Sequence, residues 1–330
     1  MYRMMNVGRA LIQAFCALLA LWTCAQAQPS GLVFVSAEKS NAIFVIDPAT
    51  NSVLRSIPTA KRPRDMHFSA DRKQLYVACG DANIIQIIDL ATFKVTGALK
   101  TGDSPETFAF DTDKNRIYVA NEEDGTLSVT DVSSNRIVDR IKTGQEPEGV
   151  ILSKDGTFVF VTSESDGVVH KIDVASGAIV GTLSVGTRPR RFAMTPDGRD
   201  LWVSAELSGD VHVIDVASFS LKGVISFLPP GMRKTDVTPV GLDIAANGAT
   251  AWVSLGRAAH VALVDVAERK VLAYVLTGKR PWGVRLSKDG KRLYVANGLS
   301  DDVTIIDAAT RKAITSVPVG RTPWGVLIDD

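Results

Sequence analysis

The chain repeats itself every 42 residues, and few folds accept a repeat of that length. Apolar segments begin at Val33, Leu75, Ile117, Val159, Leu201, Ala251 and Leu293, at intervals of 42, 42, 42, 42, 50 and 42. Fourteen residues into each copy stands an aspartate: Asp47, Asp89, Asp131, Asp173, Asp215, Asp265 and Asp307. Each copy also carries a proline, at Pro63, Pro105, Pro147, Pro189, Pro281 and Pro323, with Pro239 displaced by an eight-residue insertion. The third copy shows four β-patterned segments, Ile117 to Ala120, Leu127 to Val132, Arg136 to Ile141 and Gly149 to Leu152. Turn-forming Asp-Gly, Ser-Asn and Gly-Pro clusters separate them. Four short strands per repeat of this length predict an all-β, seven-bladed β-propeller. An α-solenoid needs helical periodicity, and a β-solenoid needs shorter repeats.

The ends of the chain fit a closed ring. Gly31 to Ser36 reads as the second strand of a blade, and Pro323 to Ile328 as the first. Pairing the N- and C-terminal strands completes the seventh blade and leaves no open sheet edge. Ahead of the repeats, Arg3 and Arg9 precede an apolar stretch, Ala10 to Trp22, and Ala25-Gln26-Ala27 is a small-x-small motif. That order predicts a signal peptide over residues 1–27, cleaved after Ala27, with the propeller over 28–330 and export to the periplasm. The apolar run is too short to span a membrane, which takes ~20 residues. Cys24 follows a poor lipobox. Of the three cysteines, Cys16, Cys24 and Cys79, only Cys79 lies in the propeller, so no internal disulfide is expected there.

The seven aspartates invite a metal or acid–base reading. Seven identical roles point instead to a building rule. A small Ala-Thr or Ala-Ser pair follows most of them, and an Asp there caps a hairpin turn by accepting backbone N–H bonds. Function is expected where the copies differ. The residues after the repeat prolines are Arg64, Glu106, Glu148, Arg190, Val240, Trp282 and Trp324. Their loops join the outer strand of one blade to the inner strand of the next, at the mouth of the central channel. Arg62, Arg188, Arg191, Arg280 and Arg321 flank these positions, and the insertion adds Arg233. A net charge of +1 gives no pull towards nucleic acid, yet this face is expected to be polarised. Arginine and tryptophan favour binding hot spots, and arginine suits carboxylates. The competing reading is structural. Glu38, Glu122, Glu164 and Glu206 recur on the same face and can pair the arginines, while Trp282 and Trp324 can plug the channel. The insertion, within Phe227 to Asp236, reads as a lid or docking loop, or as a neutral surface addition.

Catalytic signatures are missing from the sequence. The four histidines, His67, His170, His212 and His260, show no metal-ligand spacing, and no nucleophile elbow, phosphate loop or haem motif occurs.

The segments Leu75-Tyr76-Val77-Ala78, Ile117-Tyr118-Val119-Ala120-Asn121 and Leu293-Tyr294-Val295-Ala296-Asn297 resemble the YVTN-repeat β-propeller family. Arg62-Pro63-Arg64, Ser104-Pro105-Glu106, Glu146-Pro147-Glu148-Gly149 and Arg188-Pro189-Arg190-Arg191 resemble a narrower subgroup, associated with pyrroloquinoline-quinone-dependent alcohol catabolism. So does the terminal stretch Gly320 to Val326. Ser69 to Lys73 and Asp111 to Asn115 depart from the usual Ser-Pro-Asp-Gly-Lys hairpin. The resemblance implies a non-catalytic exported binding or scaffold protein, working beside a quinoprotein dehydrogenase or cytochrome c. Its ligand could be a small carboxylate, with pyrroloquinoline quinone as a candidate cofactor. The alternative is an enzyme, either a propeller lactonase or a redox-complex subunit similar to amine dehydrogenase chains, using Glu106, Glu148 and Glu164. A cell-surface interaction module is a third reading.

Overall fold

A computed structural model describes residues 29–330. The predicted signal peptide, with Cys16 and Cys24, lies outside the described residues. The described chain forms seven four-stranded antiparallel sheets. In each sheet the strand that opens on the repeat proline, or in the fifth copy follows it, is innermost. Pro63–Phe68, Pro105–Asp111, Pro147–Leu152, Pro189–Met194, Leu242–Ile244, Pro281–Leu286 and Pro323–Ile328 touch in sequence and close into one ring. The architecture is a seven-bladed β-propeller. No helix among the described residues is long and apolar enough to cross a membrane.

The closing sheet unites both ends of the described chain. Val33–Ala37 pairs antiparallel with Pro323–Ile328, with Val33 opposite Ile328, Phe34 opposite Leu327 and Val35 opposite Val326. Backbone bonds from Gly31 N to Asp329 O (2.7 Å) and from Asp329 N to Leu32 O (3.0 Å) extend the join. The side chain of Asp329 accepts from Ser30 N (2.8 Å) and from an Arg72 guanidinium nitrogen (2.7 Å).

The middle strands alternate faces, and both faces are buried because blades stack on blades. Leu75, Val77, Leu201, Val203, Leu293 and Val295 are fully buried. Outer strands such as Ser52–Pro58 are mostly exposed. Cys79 is buried, which pushes its thiol pKa up to about 12, so it packs as a small apolar residue.

The repeat aspartates cap turns, as their shared spacing predicts. Asp89 Oδ1 accepts from Thr92 N, Asp131 Oδ1 from Ser134 N and Asp173 Oδ1 from Ser176 N, each at 2.8 Å. Asp307 Oδ1 does the same for Thr310 N at 2.7 Å.

Deleting residues 323–330 should leave the strand Val33–Ala37 without its inner partner and open the ring. The expected outcome is a chain that aggregates, seen as loss of the monomer peak in size-exclusion chromatography. A truncated chain that stays monomeric with an unchanged melting temperature would show that the join is dispensable.

Candidate functional site

Six of the seven inner strands are entered through the same backbone device. The residue before the proline adopts a left-handed conformation at Arg62, Ser104, Glu146, Arg188, Arg280 and Thr322, with φ between 53° and 61°. Its carbonyl accepts a bond of 2.9–3.0 Å from the loop that follows the second strand, at Gly80, Glu122, Glu164, Glu206, Gly298 and Glu38 respectively. Non-glycine residues in that region are strained, so the bond and the packing must hold them there. The recurrent glutamates are thereby pinned beside the proline loops. Where glutamate is absent, glycine makes room: a Cβ on Gly80 would meet Arg62 Nε at 2.7 Å.

The side chains carried by this device form one paired layer. Arg62 binds Glu106 closely and lies 3.2 Å from Glu122 and 3.3 Å from Asp81. Arg64 contacts Glu38 at 2.5 Å and also binds Glu106. Arg190 binds Glu164 closely and lies 3.1 Å from Glu148 and 3.6 Å from Glu206. Arg188 reaches Glu164 at 2.7 Å, Arg191 reaches Glu148 at 3.4 Å and Arg280 reaches Glu206 at 2.6 Å. Six arginines thus face six glutamates, Glu38, Glu106, Glu122, Glu148, Glu164 and Glu206, and every one of the six arginines has a carboxyl partner. Trp324 lies under the guanidiniums of Arg191 (3.7 Å) and Arg64 (5.4 Å). Trp282 lies 5.5 Å from those of both Arg190 and Arg280, and 6.5 Å from Trp324.

This layer is a plug. Glu106 is 0%, Glu148 1%, Arg190 3%, Val240 1% and Trp324 1% exposed. Burying an ion costs several kcal/mol unless partners replace its water, and the multiple pairing supplies them. Burial opposes ionisation of Glu148, but the guanidiniums of Arg190, Arg191 and Arg64 outweigh it and hold its carboxyl below the ordinary range. Burial and the facing Glu148 carboxylate push Glu164 the other way.

Ten of the twelve candidate site residues therefore come together: Arg62, Arg64, Glu106, Glu148, Arg188, Arg190, Arg191, Arg280, Trp282 and Trp324. They meet as an ion-paired network, so the basic arc expected from spacing is paired rather than free. Arg321 and Arg233 stay outside it. Arg321 is exposed and donates to Lys39 O at 3.3 Å. Arg233 is 81% exposed in its side chain and pairs with Asp236 at 2.8 Å inside the insertion. Phe227, Met232 and Val237 fold down onto the core between two blades, and Leu228 N bonds the Tyr274 hydroxyl at 2.9 Å.

Beneath the plug lies a cavity of about 400 Å³, lined by inner strands and reaching Lys154 in a turn at the far face. Sequence reasoning missed the charged residues on its wall. Asp65 and His67 pair at 3.1 Å, and Asp243 and Arg285 at 3.3 Å. The signal was present: at the positions two and four residues past the proline, sister blades carry mostly glycine, alanine or aliphatic residues. Among the described residues no His, Cys, Asp or Glu cluster could hold a metal ion.

A family model described as a YNCE-like beta-propeller matches residues 27–287. No curated protein matches the chain. Among solved structures, hydrazine synthase of Kuenenia stuttgartiensis is similar, with 22% identity, a TM-score of 0.76, and coverage of 84% of this chain and 93% of that one. A putative 6-phosphogluconolactonase from Bacteroides fragilis is 19% identical, with a TM-score of 0.76 over 91% and 98% of the two chains. The dihydro-heme d1 dehydrogenase NirN is 16% identical, with a TM-score of 0.69 over 92% and 77%. At these identities the likeness is one of fold.

Glu148→Gln should destabilise the fold by about 3–5 kcal/mol, because Arg190 and Arg191 lose a buried partner. Urea unfolding measures this. The low Glu148 pKa means its share of stability is present above the ordinary value of 4.5 and is lost as pH falls towards about 2. That acid-side slope should be missing in the variant. Glu164 has the opposite sign. Its raised pKa makes the fold hold an extra proton, so its share of stability is lost as pH rises, and Glu164→Gln should remove that decline.

Proposed function

The chain belongs to the YNCE-like β-propeller family, and from that premise we propose that it is an exported, non-catalytic binding or scaffold protein whose channel-mouth face docks a protein partner. One observation carries this reading. Four leucines stand exposed at loops and strand ends of the mouth face: Leu207 52%, Leu228 57%, Leu276 64% and Leu299 70%. Apolar side chains grouped on one face mark interaction surfaces. Exposed cations accompany them on the same blades, at Arg233, Lys234, Lys279 and Arg321. Exposed acids, Asp103, Glu123, Asp124 and Glu146, gather over the opposite blades. The partner would bring an acidic patch around an apolar centre. The paired layer below, with its arginines already neutralised, serves as a stiff platform under that surface.

The sequence resemblance supplies the setting. A signal peptide over residues 1–27 would deliver the chain to the periplasm. There it would accompany a pyrroloquinoline-quinone-dependent alcohol oxidation system, with a quinoprotein dehydrogenase or a cytochrome c as partner.

Affinity capture from native periplasm, using the tagged chain, tests the assignment. The dehydrogenase or its cytochrome is expected to be retained, and Leu276→Glu/Leu299→Glu should lose it while keeping the melting temperature. Retention unaffected by both glutamates would remove this face from the function. Turnover of lactones by the purified chain would transfer the assignment to the enzyme reading.

A further inference from the structure

One hydrogen bond recurs at the entrance to the proline loops, and in one blade its acceptor can take up a proton. Three residues before the repeat proline, a backbone N–H is held by a polar side chain. Ala60 N donates to Gln86 Oε1 at 3.0 Å, Gly102 N to Asn121 Oδ1 at 3.0 Å and Gly278 N to Thr304 Oγ1 at 3.2 Å. At Gly186 the acceptor is His212 Nε2, at 3.1 Å. Gln86, His212 and Thr304 occupy one position of the repeat, three residues before Asp89, Asp215 and Asp307. Amide and hydroxyl oxygens keep their lone pairs near neutral pH, whereas an imidazole nitrogen gives its lone pair to a proton. His170 stands at the same position one blade earlier, but its Nδ1 faces Thr182 Oγ1 at 3.0 Å.

A second group competes for the same atom. Asp210 Oδ1 also lies 3.1 Å from His212 Nε2. One ring nitrogen cannot accept from Gly186 and donate to Asp210 at once, so a proton at Nε2 selects the partner. The other ring nitrogen, Nδ1, has no hydrogen-bond partner among the described residues, so nothing on that side fixes the choice. The remaining charges on the packed elements are engaged elsewhere. Arg188 in the same loop reaches Glu164 at 2.7 Å, and Glu206 in the next loop holds Arg280 at 2.6 Å. Asp200 and Lys222 on the flanking strands pair at 2.5 Å, and Lys171 on the facing blade donates to Val216 O at 3.1 Å.

We propose that His212 is a proton-operated latch on the loop 185–188. With the ring neutral, its proton sits on Nδ1 and Nε2 holds Gly186. When Nε2 takes up a proton it donates to Asp210, and the Gly186 N–H loses its acceptor. Histidine makes such a change between about pH 5 and 8. Thr187 N still donates to Ser208 Oγ (2.5 Å) and Glu206 N to Arg188 O (2.9 Å), so the loop loosens without unfolding. Leu207 N is bonded to Thr187 O at 3.1 Å, so the change reaches a leucine of the docking face. That consequence, control of docking by pH, rests on the docking reading; the latch itself does not.

Hydrogen exchange of the intact chain, read at the Gly186 amide, tests the latch. Its protection factor, which already corrects for the intrinsic pH dependence of exchange, should fall by about tenfold from about pH 8 to about pH 5, as one backbone hydrogen bond is lost. In His212→Gln it should stay level, since Gln86 holds the equivalent N–H of Ala60 with a glutamine amide. If that variant fails to fold, the ring decides: nitrogen-15 spectra of neutral His212 should place the proton on Nδ1. A level protection factor in the unaltered chain, an equal fall in His212→Gln, or a neutral ring carrying its proton on Nε2 would each overturn the proposal. No partner takes part in these measurements, so failure of the docking reading leaves their outcome untouched.

Discussion

Everything in this molecule depends on one antiparallel pairing, between Val33–Ala37 and Pro323–Ile328. A propeller blade buries its faces only against other blades, so an open row would expose two apolar faces and two strand edges. The join removes all four at once. It also sets the chemistry of the channel. Trp324, on the last inner strand, is brought beside Arg64 on the first and opposite Arg191 on the fourth. Distance along the chain gives no hint that these three residues form one stack.

The ring imposes equal backbone geometry on unequal side chains. A left-handed residue before the proline, and a carbonyl bonded to the neighbouring loop, recur in six blades. Onto that scaffold the chain places acids in some blades, bases in others and tryptophans in two. Symmetry brings them to the same depth, and opposite charges then meet across blade boundaries. A buried arginine alone would cost several kcal/mol, so the six arginines are tolerable only because six glutamates arrive at the same level. The result is a buried, ion-paired plug across the ring, with the cavity lined by the inner strands beyond it. Docking surface and cavity are thus kept apart by the same ion pairs.

Much of the fold was legible in the sequence because it is written as repetition. The 42-residue period gave the blade count, the aspartates gave the capped turns and the terminal half-blades gave the closure. Small offsets arose at strand ends, where Thr126–Asp131 stops before Val132. The site was legible only in part. The proline loops located the residues that meet, and the recurrent glutamates hinted at pairing. That Arg190 would be 3% exposed between three glutamates could not be read, since burial depends on how far side chains reach across the ring. For the insertion, the sequence left a lid, a docking loop and a neutral addition open, and it did not foretell that Phe227, Met232 and Val237 find apolar partners in the seam between two blades. The Asp65–His67 and Asp243–Arg285 pairs lie two to four residues past the repeat proline, and each needs the fold to bring its members together.

By itself, then, the amino-acid sequence determined the number of blades, the turn chemistry and the ring closure. These follow from local rules repeated at a fixed period, and local rules need no knowledge of neighbours. Only the tertiary structure decided which charges are paired and how deeply they are buried. Those are properties of groups from different blades brought within a few ångströms, and an ion's energy depends on what stands beside it and whether water can reach it.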